Sequence, residues 1–136
     1  MTRPKTIFLV EDNRLYQLLF IQVLKEIKHA ILYGVANNGR EALDKLENST
    51  TLPDLIFTDI NMPVMDGLEC LTEIKKNPKI KDIPVVILSS ATPQMELVQK
   101  LGAKAFLKKP SDIHTLREQL EQMINSDLTD DYHMAS

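Results

Sequence analysis

The chain has 136 residues, of which 43% are hydrophobic and 26% are charged, and this composition fits one globular domain rather than a disordered chain. Its formal net charge of −3 argues against a general nucleic-acid-binding protein, which would carry a basic surface. The single cysteine, Cys70, cannot form an internal disulfide, and no apolar run approaches the roughly 20 residues that span a bilayer. We therefore expect a cytoplasmic protein that binds neither DNA nor a membrane.

The first half of the chain alternates between short apolar runs and helical patterns. Residues 7–10 (IFLV) form an unbroken apolar run, which predicts a strand covered on both faces. A helix is predicted next, because apolar residues follow at helical spacing: Tyr16, Leu19, Phe20, Val23, Leu24 and Ile27. Residues 31–36 are a weaker strand candidate because Gly34 interrupts the run. A short helix over 39–46 and a third strand over 55–57 complete this half.

The second half repeats the alternation. A helix is predicted over 68–76, a strand over 85–88, and a further helix with Thr92 as N-cap and Pro93 at its first position. The apolar run 105–107 predicts the fifth strand, and apolar spacing over 113–124 predicts the last helix. Residues 126–136 lack periodicity, so we expect a flexible tail after one domain over residues 1–125. Five strand–helix units predict an α/β fold, a doubly wound five-stranded parallel sheet with right-handed crossovers.

Polar residues follow four of the predicted strands. The first strand ends in Glu11 and Asp12, the third in Asp59, the fourth in Ser89 and Ser90, and the fifth in Lys108 and Lys109. Ligands of such sheets bind outside the carboxyl ends of the strands, so these side chains should converge. Clustered acids raise each other's pKa unless a cation compensates, and carboxylate ligands suit Mg²⁺. A lysine and a hydroxyl can bind phosphoryl oxygens, while a carboxylate can be the nucleophile, so the pattern predicts an aspartyl-phosphate site.

Four motifs at these strand ends resemble those of one family. They are "VED" after the first strand, "TDINMPVMDG" after the third, "LSSA" after the fourth and "KKP" after the fifth. In this order and register they resemble the receiver domain of two-component response regulators, over about residues 5 to 125. The resemblance implies a flavodoxin-like (βα)5 fold with strand order 2-1-3-4-5.

The resemblance also implies roles for the residues of the acidic site. Asp59 is similar to the phosphoacceptor of the family. Glu11, Asp12, Asp59 and the backbone carbonyl of Asn61 are expected to bind Mg²⁺. Lys109, which directly precedes Pro110 in the "KKP" motif, matches the lysine of the family's site.

Further roles concern the switch and the loops. Ser89 corresponds to the hydroxyl that moves toward the phosphoryl group, and Phe106 corresponds to the aromatic switch residue. Gly67 fits the glycine that closes the loop after the acceptor. The resemblance implies a cis peptide bond between Lys109 and Pro110.

A stand-alone signalling phosphoacceptor, rather than an enzyme, is the function that these matches imply. A sensor histidine kinase or a histidine phosphotransfer protein would supply the phosphoryl group to Asp59. Phosphorylation would then change the surface formed by the fourth helix, fifth strand and fifth helix, which would bind an unknown downstream protein or form a homodimer.

Three alternatives stay open at this point. A phosphorelay carrier would pass the phosphoryl group on to a downstream histidine. An aspartate-nucleophile phosphatase would need a second acid where the chain has Asn61. A degenerate receiver would be an interaction module that is never phosphorylated, although the acid, hydroxyl and lysine set is complete.

Two local interpretations accompany the main prediction. Asp12 and Asp66 are each suitable N-caps for the helices that follow them, and for Asp66 this is the preferred interpretation. Leu15, Leu18 and Ile21 are apolar but lie off the core face of the first helix. Three exposed apolar residues near the acidic end predict a docking patch, and we hypothesise that Leu15 and Leu18 contact a helix of the phosphodonor.

Overall fold

The computed structural model describes residues 3–90 and 95–126 and the backbone of residues 133–135. Strands and helices alternate along this part of the chain. They are β1 (Lys5–Val10), α1 (Arg14–Lys25), β2 (Ala30–Ala36), α2 (Gly39–Glu47), β3 (Leu55–Thr58), α3 (Gly67–Lys76), β4 (Val85–Ser89), α4 (Met95–Lys100), β5 (Ala105–Lys108), α5 (Ile113–Asn125) and β6 (His133–Ala135). The predicted start of α4 at Thr92 and Pro93 lies outside the described residues.

All the strands pair in parallel, in the order β2-β1-β3-β4-β5-β6. The first five strands therefore confirm the predicted flavodoxin-like order 2-1-3-4-5. The chain moves outward from β1 in one direction to β2 and in the other to β3. The β1–β3 boundary is thus the point where strand order reverses, and the carboxyl ends of these two strands border a crevice.

The sixth strand differs from the prediction of a flexible tail. The backbone of 133–135 adds to the edge of β5, with Ala105 opposite His133 and Leu107 opposite Ala135. The sequence around it lacks the apolar alternation that predicts a strand. A three-residue edge strand can form by backbone pairing alone, so it does not need this pattern. Residues 127–132 and 136, the rest of the predicted tail, lie outside the described residues.

The sheet separates two apolar cores because alternate residues of each strand point to opposite faces. Phe8 and Val10 of β1 pack in the cluster under α2, α3 and α4, whereas Ile7 and Leu9 pack in the cluster under α1 and α5. Burial on both faces explains why β1, β3, β4 and β5 contain unbroken apolar runs. The cores carry one edge-to-face ring pair each, Phe8 with Tyr33 and Phe20 with Phe57.

The N-cap residues of α1 and α3 determine where the loops beside the crevice end and these helices begin. Asn13, rather than Asp12, caps α1, and its side chain accepts the Tyr16 amide. Asp66 caps α3, as predicted, in a reciprocal capping box with Glu69. Because Asn13 caps the helix, the carboxylate of Asp12 is not used for capping.

Candidate functional site

The ends of β1 and β3 bring the predicted acids together. Val10 pairs with Thr58 in the sheet, so the residues that follow them, Glu11 and Asp59, leave the sheet side by side. The Asp59 amide donates to the Val10 carbonyl at 3.0 Å, and the Glu11 amide donates to the Ala36 carbonyl at 2.9 Å. The backbone of both acids is therefore fixed by strand pairing.

Three carboxylates form an acidic cluster, which we define as Glu11, Asp12 and Asp59. One oxygen of each lies within 4.8 Å of the others. Glu11 and Asp59 are buried, with 1% and 9% of their surface exposed, whereas Asp12 is exposed. Hard oxygen donors at this spacing, open to solvent on one side, fit a divalent cation that keeps part of its hydration shell.

Lys109 places an ammonium group against the acidic cluster. Its Nζ lies 2.6 Å from Glu11 Oε1 and 3.2 Å from Asp59 Oδ2. The Lys109 amide donates to the Ser89 carbonyl at 2.9 Å, which extends the β4–β5 pairing by one residue and aims the side chain at the acids. Lys109 therefore partly compensates the negative charge of the buried carboxylates.

Burial raises the pKa of Glu11 above its ordinary value. Hydrogen bonds from Lys109 and from the Asn13 amide oppose this rise, and the charge of Asp59 adds to it. The carboxylate is thus less stable as an anion than an exposed glutamate, because its surroundings do not fully replace the lost water. An additional cation at this cluster would favour the charged form.

The loop between β3 and α3 orients Asp59. The Ile60 amide donates to Asp59 Oδ1 at 2.7 Å, which leaves Oδ2 on the side of Lys109. The Gly67 amide donates to the Ile60 carbonyl at 2.7 Å. This hydrogen bond draws the start of α3 against the β3–α3 loop, so the predicted loop-closing glycine lies directly behind Asp59.

The predicted switch residues are both buried. Ser89, at the end of β4, is 1% exposed and pairs with Lys108 in the sheet. Phe106, in the middle of β5, is 4% exposed and packs in the cluster under α2, α3 and α4. Their roles in switching stay predictions, as does the metal contact of the Asn61 carbonyl; the Asn61 residue itself is exposed.

The prediction of a cis peptide bond between Lys109 and Pro110 is wrong. The described residues contain no cis peptide bond, so the bond between Lys109 and Pro110 is trans. Proline makes the cis form accessible but still favours trans by about 0.5–1 kcal/mol. With the trans bond, Lys109 makes both of its carboxylate contacts.

Sequence reasoning missed two residues of the site. Tyr16 was placed on the core face of α1, but its ring also lies under Lys109, with Nζ 4.2 Å from the ring centroid. Burial, with the nearby charges of Glu11 and Asp59, raises the pKa of Tyr16. Gln17 donates to the Glu11 carbonyl at 2.5 Å and to Asn37 Oδ1 at 2.8 Å, which ties the end of β1 to the loop before α2. The signal for Tyr16 was its position in the first turn of α1, close to the end of β1.

Of the three residues of the predicted docking patch, Leu15 and Leu18 are exposed on the outer face of α1, whereas Ile21 is half-buried. Leu15 is 69% exposed and Leu18 is 48% exposed. Leu19 is also 39% exposed, so its assignment to the core face was wrong. Within the described part of the chain, no helix is both long and apolar enough to cross a bilayer.

Known proteins resemble this chain over most of its length. A family model described as response regulator receiver domain matches residues 7–121. Response regulator Rcp1 of Synechocystis sp. (strain ATCC 27184 / PCC 6803 / Kazusa) is 34% identical over 122 residues, which cover 83% of this chain and 82% of Rcp1. The protein-glutamate methylesterase/protein-glutamine glutaminase of Desulfotalea psychrophila (strain LSv54 / DSM 12343) is 40% identical over 78% of this chain, but the match spans only 29% of that longer protein.

Solved structures agree with these matches. The phosphorylated cyanobacterial phytochrome response regulator RcpA superposes with a TM-score of 0.80 at 30% identity, over 88% of this chain and 91% of RcpA. The Mn²⁺-bound form of Rcp1 superposes with a TM-score of 0.79 at 29% identity, over 91% of this chain and 97% of that one. The four motifs, the strand order and these matches agree, and the chain belongs to the response regulator receiver domain family of two-component signalling.

Proposed function

We propose that the chain accepts a phosphoryl group on Asp59 in a reaction that requires Mg²⁺. One observation carries this proposal: the acidic cluster and Lys109 meet at the β1–β3 strand-order reversal. A histidine-phosphorylated protein, either a sensor histidine kinase or a phosphotransfer protein, would be the donor. The phosphorylated form of the similar RcpA supports this chemistry.

The donor set of the acidic cluster fits the cation. Glu11, Asp12 and Asp59 supply only oxygen, at a spacing that one ion can bridge, and the backbone carbonyl of Asn61 would add a further ligand. When bound, Mg²⁺ would offset the repulsion between the acids and the oxygens of the incoming phosphoryl group. The Mn²⁺-bound form of Rcp1 supports a divalent cation here.

The residues of the chain orient the reaction. The Ile60 amide donates a hydrogen bond to Asp59 Oδ1, so we propose that Oδ2, the oxygen that Lys109 contacts, attacks phosphorus. An O–P bond then forms at Asp59 while the P–N bond of the donor histidine breaks, and the imidazole leaves with the electron pair. Lys109, 3.2 Å from Oδ2, is placed to bind a phosphoryl oxygen.

Signal output would follow from a change at the β4 and β5 ends. We propose that the Ser89 hydroxyl turns toward the phosphoryl group and that Phe106 changes its packing. Both residues lie on strands next to α4 and α5, so two states of the α4-β5-α5 surface would differ in affinity for a downstream protein or for a second copy. In this proposal the chain signals rather than acting on a separate substrate.

Docking of the donor would use the outer face of α1. Leu15 and Leu18 lie one turn apart on the helix that starts beside Asp12, and both are exposed. A Leu15→Glu, Leu18→Glu variant should accept phosphate from a small-molecule donor normally but from a phosphohistidine protein at least about tenfold more slowly. Unchanged transfer from the protein donor would rule out this contact.

The main experiment is incubation with acetyl phosphate, with and without Mg²⁺, followed by intact-mass measurement. Wild type should gain one phosphoryl group only with the cation, and Asp59→Asn should gain none. Asp66→Asn is a matched control, because it changes an acid in the same loop to another good N-cap residue. The proposal fails if wild type stays unmodified or if Asp59→Asn is modified equally.

A further inference from the structure

We propose that Tyr16 is a positioning residue for Lys109. Its ring face keeps the lysine ammonium beside Asp59 when a divalent cation or a phosphoryl group occupies the carboxylates that otherwise bind this ammonium. The consequence for phosphorylation rests on the proposed function, whereas the contact is a property of the resting protein. Lys109 Nζ lies over the Tyr16 ring, 4.2 Å from its centroid. This distance lies within the range in which a ring attracts a cation.

The start of α1 fixes the ring relative to the acidic cluster. Asn13 donates its amide to Glu11 Oε2 at 3.0 Å and accepts the Tyr16 amide on its side chain at 2.9 Å. One capping residue thus links Glu11 to the backbone of Tyr16. The ring also packs against the apolar cluster under α1 and α5, so the lysine meets a surface whose position is already set.

The other contacts of Lys109 are of a different kind. They are made to carboxylate oxygens, Glu11 at 2.6 Å and Asp59 at 3.2 Å. A divalent cation would compete for these same oxygens, and a phosphoryl group on Asp59 would bond to the oxygen that Lys109 contacts. The aromatic face does not compete, because hard cations prefer oxygen ligands. The Lys109 side chain is only 14% exposed, and such contacts strengthen when the cation is poorly hydrated.

The aromatic ring of Tyr16, rather than its hydroxyl, is the part that positions Lys109. The Tyr16 hydroxyl is buried and has no hydrogen-bond partner among the described residues. Removing it breaks no hydrogen bond, so phenylalanine should replace tyrosine without loss. Tyr16→Phe and Tyr16→Leu therefore separate the two parts of the side chain.

The test measures Lys109 itself and the phosphorylation rate. The ¹H–¹³C NMR signal of the Lys109 ε-methylene is assigned by its absence in Lys109→Met. Ring contact should shift it upfield in wild type and Tyr16→Phe, both with and without Mg²⁺, and the shift should vanish in Tyr16→Leu. Acetyl phosphate with Mg²⁺ should phosphorylate Tyr16→Leu about tenfold more slowly than wild type and Tyr16→Phe. Tyr33→Leu is the control, since it removes an aromatic ring that packs on Phe8.

Each outcome decides the inference. It is overturned if wild type shows no upfield shift, if Mg²⁺ abolishes the shift, or if Tyr16→Phe is slowed as much as Tyr16→Leu. Equal slowing of Tyr33→Leu would also overturn it, because the effect would then be general destabilisation. If wild type is not phosphorylated at all, the proposed function fails, and the NMR shift alone decides whether Tyr16 positions Lys109. The wild-type and Tyr16→Phe shifts remain decisive even if Tyr16→Leu does not fold.

Discussion

Gly67 lies so close to Asp59 that a Cβ atom added to it would stand 1.8 Å from the Asp59 carbonyl oxygen. The contact is with backbone, which cannot move aside as a flexible side chain can. The Cα of Ile60 would also be only 2.9 Å away. The helix α3 can therefore start against the loop that follows β3 only with glycine at this position.

Gly67→Ala should lower the free energy of unfolding by about 3 kcal/mol, because the loop must shift to admit the methyl group. The same shift should displace Asp59 and slow its phosphorylation by acetyl phosphate. Denaturation in urea followed by circular dichroism measures the stability, since the chain has no tryptophan.

Gly34→Ala is the matched control for this substitution. A Cβ at Gly34 would lie 3.8 Å from the Phe8 ring, an ordinary contact distance, so this variant should stay close to wild type. Equal stability of the two variants would contradict the close approach at Gly67.

Lys109→Met should strengthen binding of Mg²⁺, because the lysine ammonium now occupies oxygens of Glu11 and Asp59 that the cation needs. We expect the dissociation constant to fall about tenfold, which corresponds to about 1.4 kcal/mol. Isothermal titration calorimetry with Mg²⁺ measures it.

Without added cation the same variant should be less stable by about 3 kcal/mol, since two buried carboxylates lose their partner. Lys108→Met removes the neighbouring exposed lysine and should change neither quantity. Weaker cation binding by Lys109→Met would show that lysine and cation do not compete.

Asp54 should contribute stability that depends on pH. Its carboxylate accepts hydrogen bonds from Arg3 at 2.6 and 2.8 Å and from the Thr6 amide at 2.8 Å. The hydrogen bonds from Arg3, with those from Thr6, lower the pKa of Asp54 below its ordinary value, although partial burial opposes this. A lowered pKa in the folded state means that stability is present above the unfolded-state pKa, about 3.9, and is lost as the pH falls through the folded-state value.

Asp54→Asn should therefore lower the free energy of unfolding by about 1 kcal/mol at pH 7 and by less at pH 3. The effect at pH 7 is modest because Arg3 is largely exposed. Urea denaturation at both pH values measures the difference from wild type. Glu121→Gln, which changes an exposed acid on α5, is the control. A cost that does not depend on pH would contradict the role of the charged carboxylate.

Cys70 should react with thiol reagents only when the α2–α3 packing opens. Its side chain is fully buried, and burial raises its pKa to about 12, so little reactive thiolate is available. We expect the reaction with Ellman's reagent to be at least about a thousandfold slower in the native protein than in urea. As the only cysteine, Cys70 makes the measurement specific to one position. A native rate close to the unfolded rate would contradict this packing.

The strands and the acidic site were predictable because each depends on a local pattern. Buried parallel strands need continuous apolar runs, and the residue types that follow Val10 and Thr58 indicated the chemistry at the strand ends. The weaker strand candidate over residues 31–36, which is β2, has a structural reason for its weakness. Its pairing with β1 shifts register between Ile7 and Phe8, and Gly34 lies opposite Phe8 at this irregularity.

The features that the sequence did not indicate depend on tertiary geometry. Strand β6 pairs through its backbone, and backbone pairing leaves no side-chain pattern at an edge of three residues. Tyr16 has the spacing of a core residue, but whether its ring also reaches Lys109 depends on how α1 leaves the end of β1. The trans bond before Pro110 likewise depends on the surrounding loop rather than on proline alone.

Strand β5 and the residue after it connect three parts of the molecule over five consecutive residues. Ala105 and Leu107 belong to the core under α1 and α5, Phe106 belongs to the opposite core, and Lys109 follows directly at the acidic cluster. A displacement of Lys109 along the strand direction would therefore disturb both helical layers at once. Residues on the two faces of β5 should therefore vary together among natural sequences. A substitution that loosens the packing of one helical layer should also change how strongly the packing of the other layer resists a movement of Lys109.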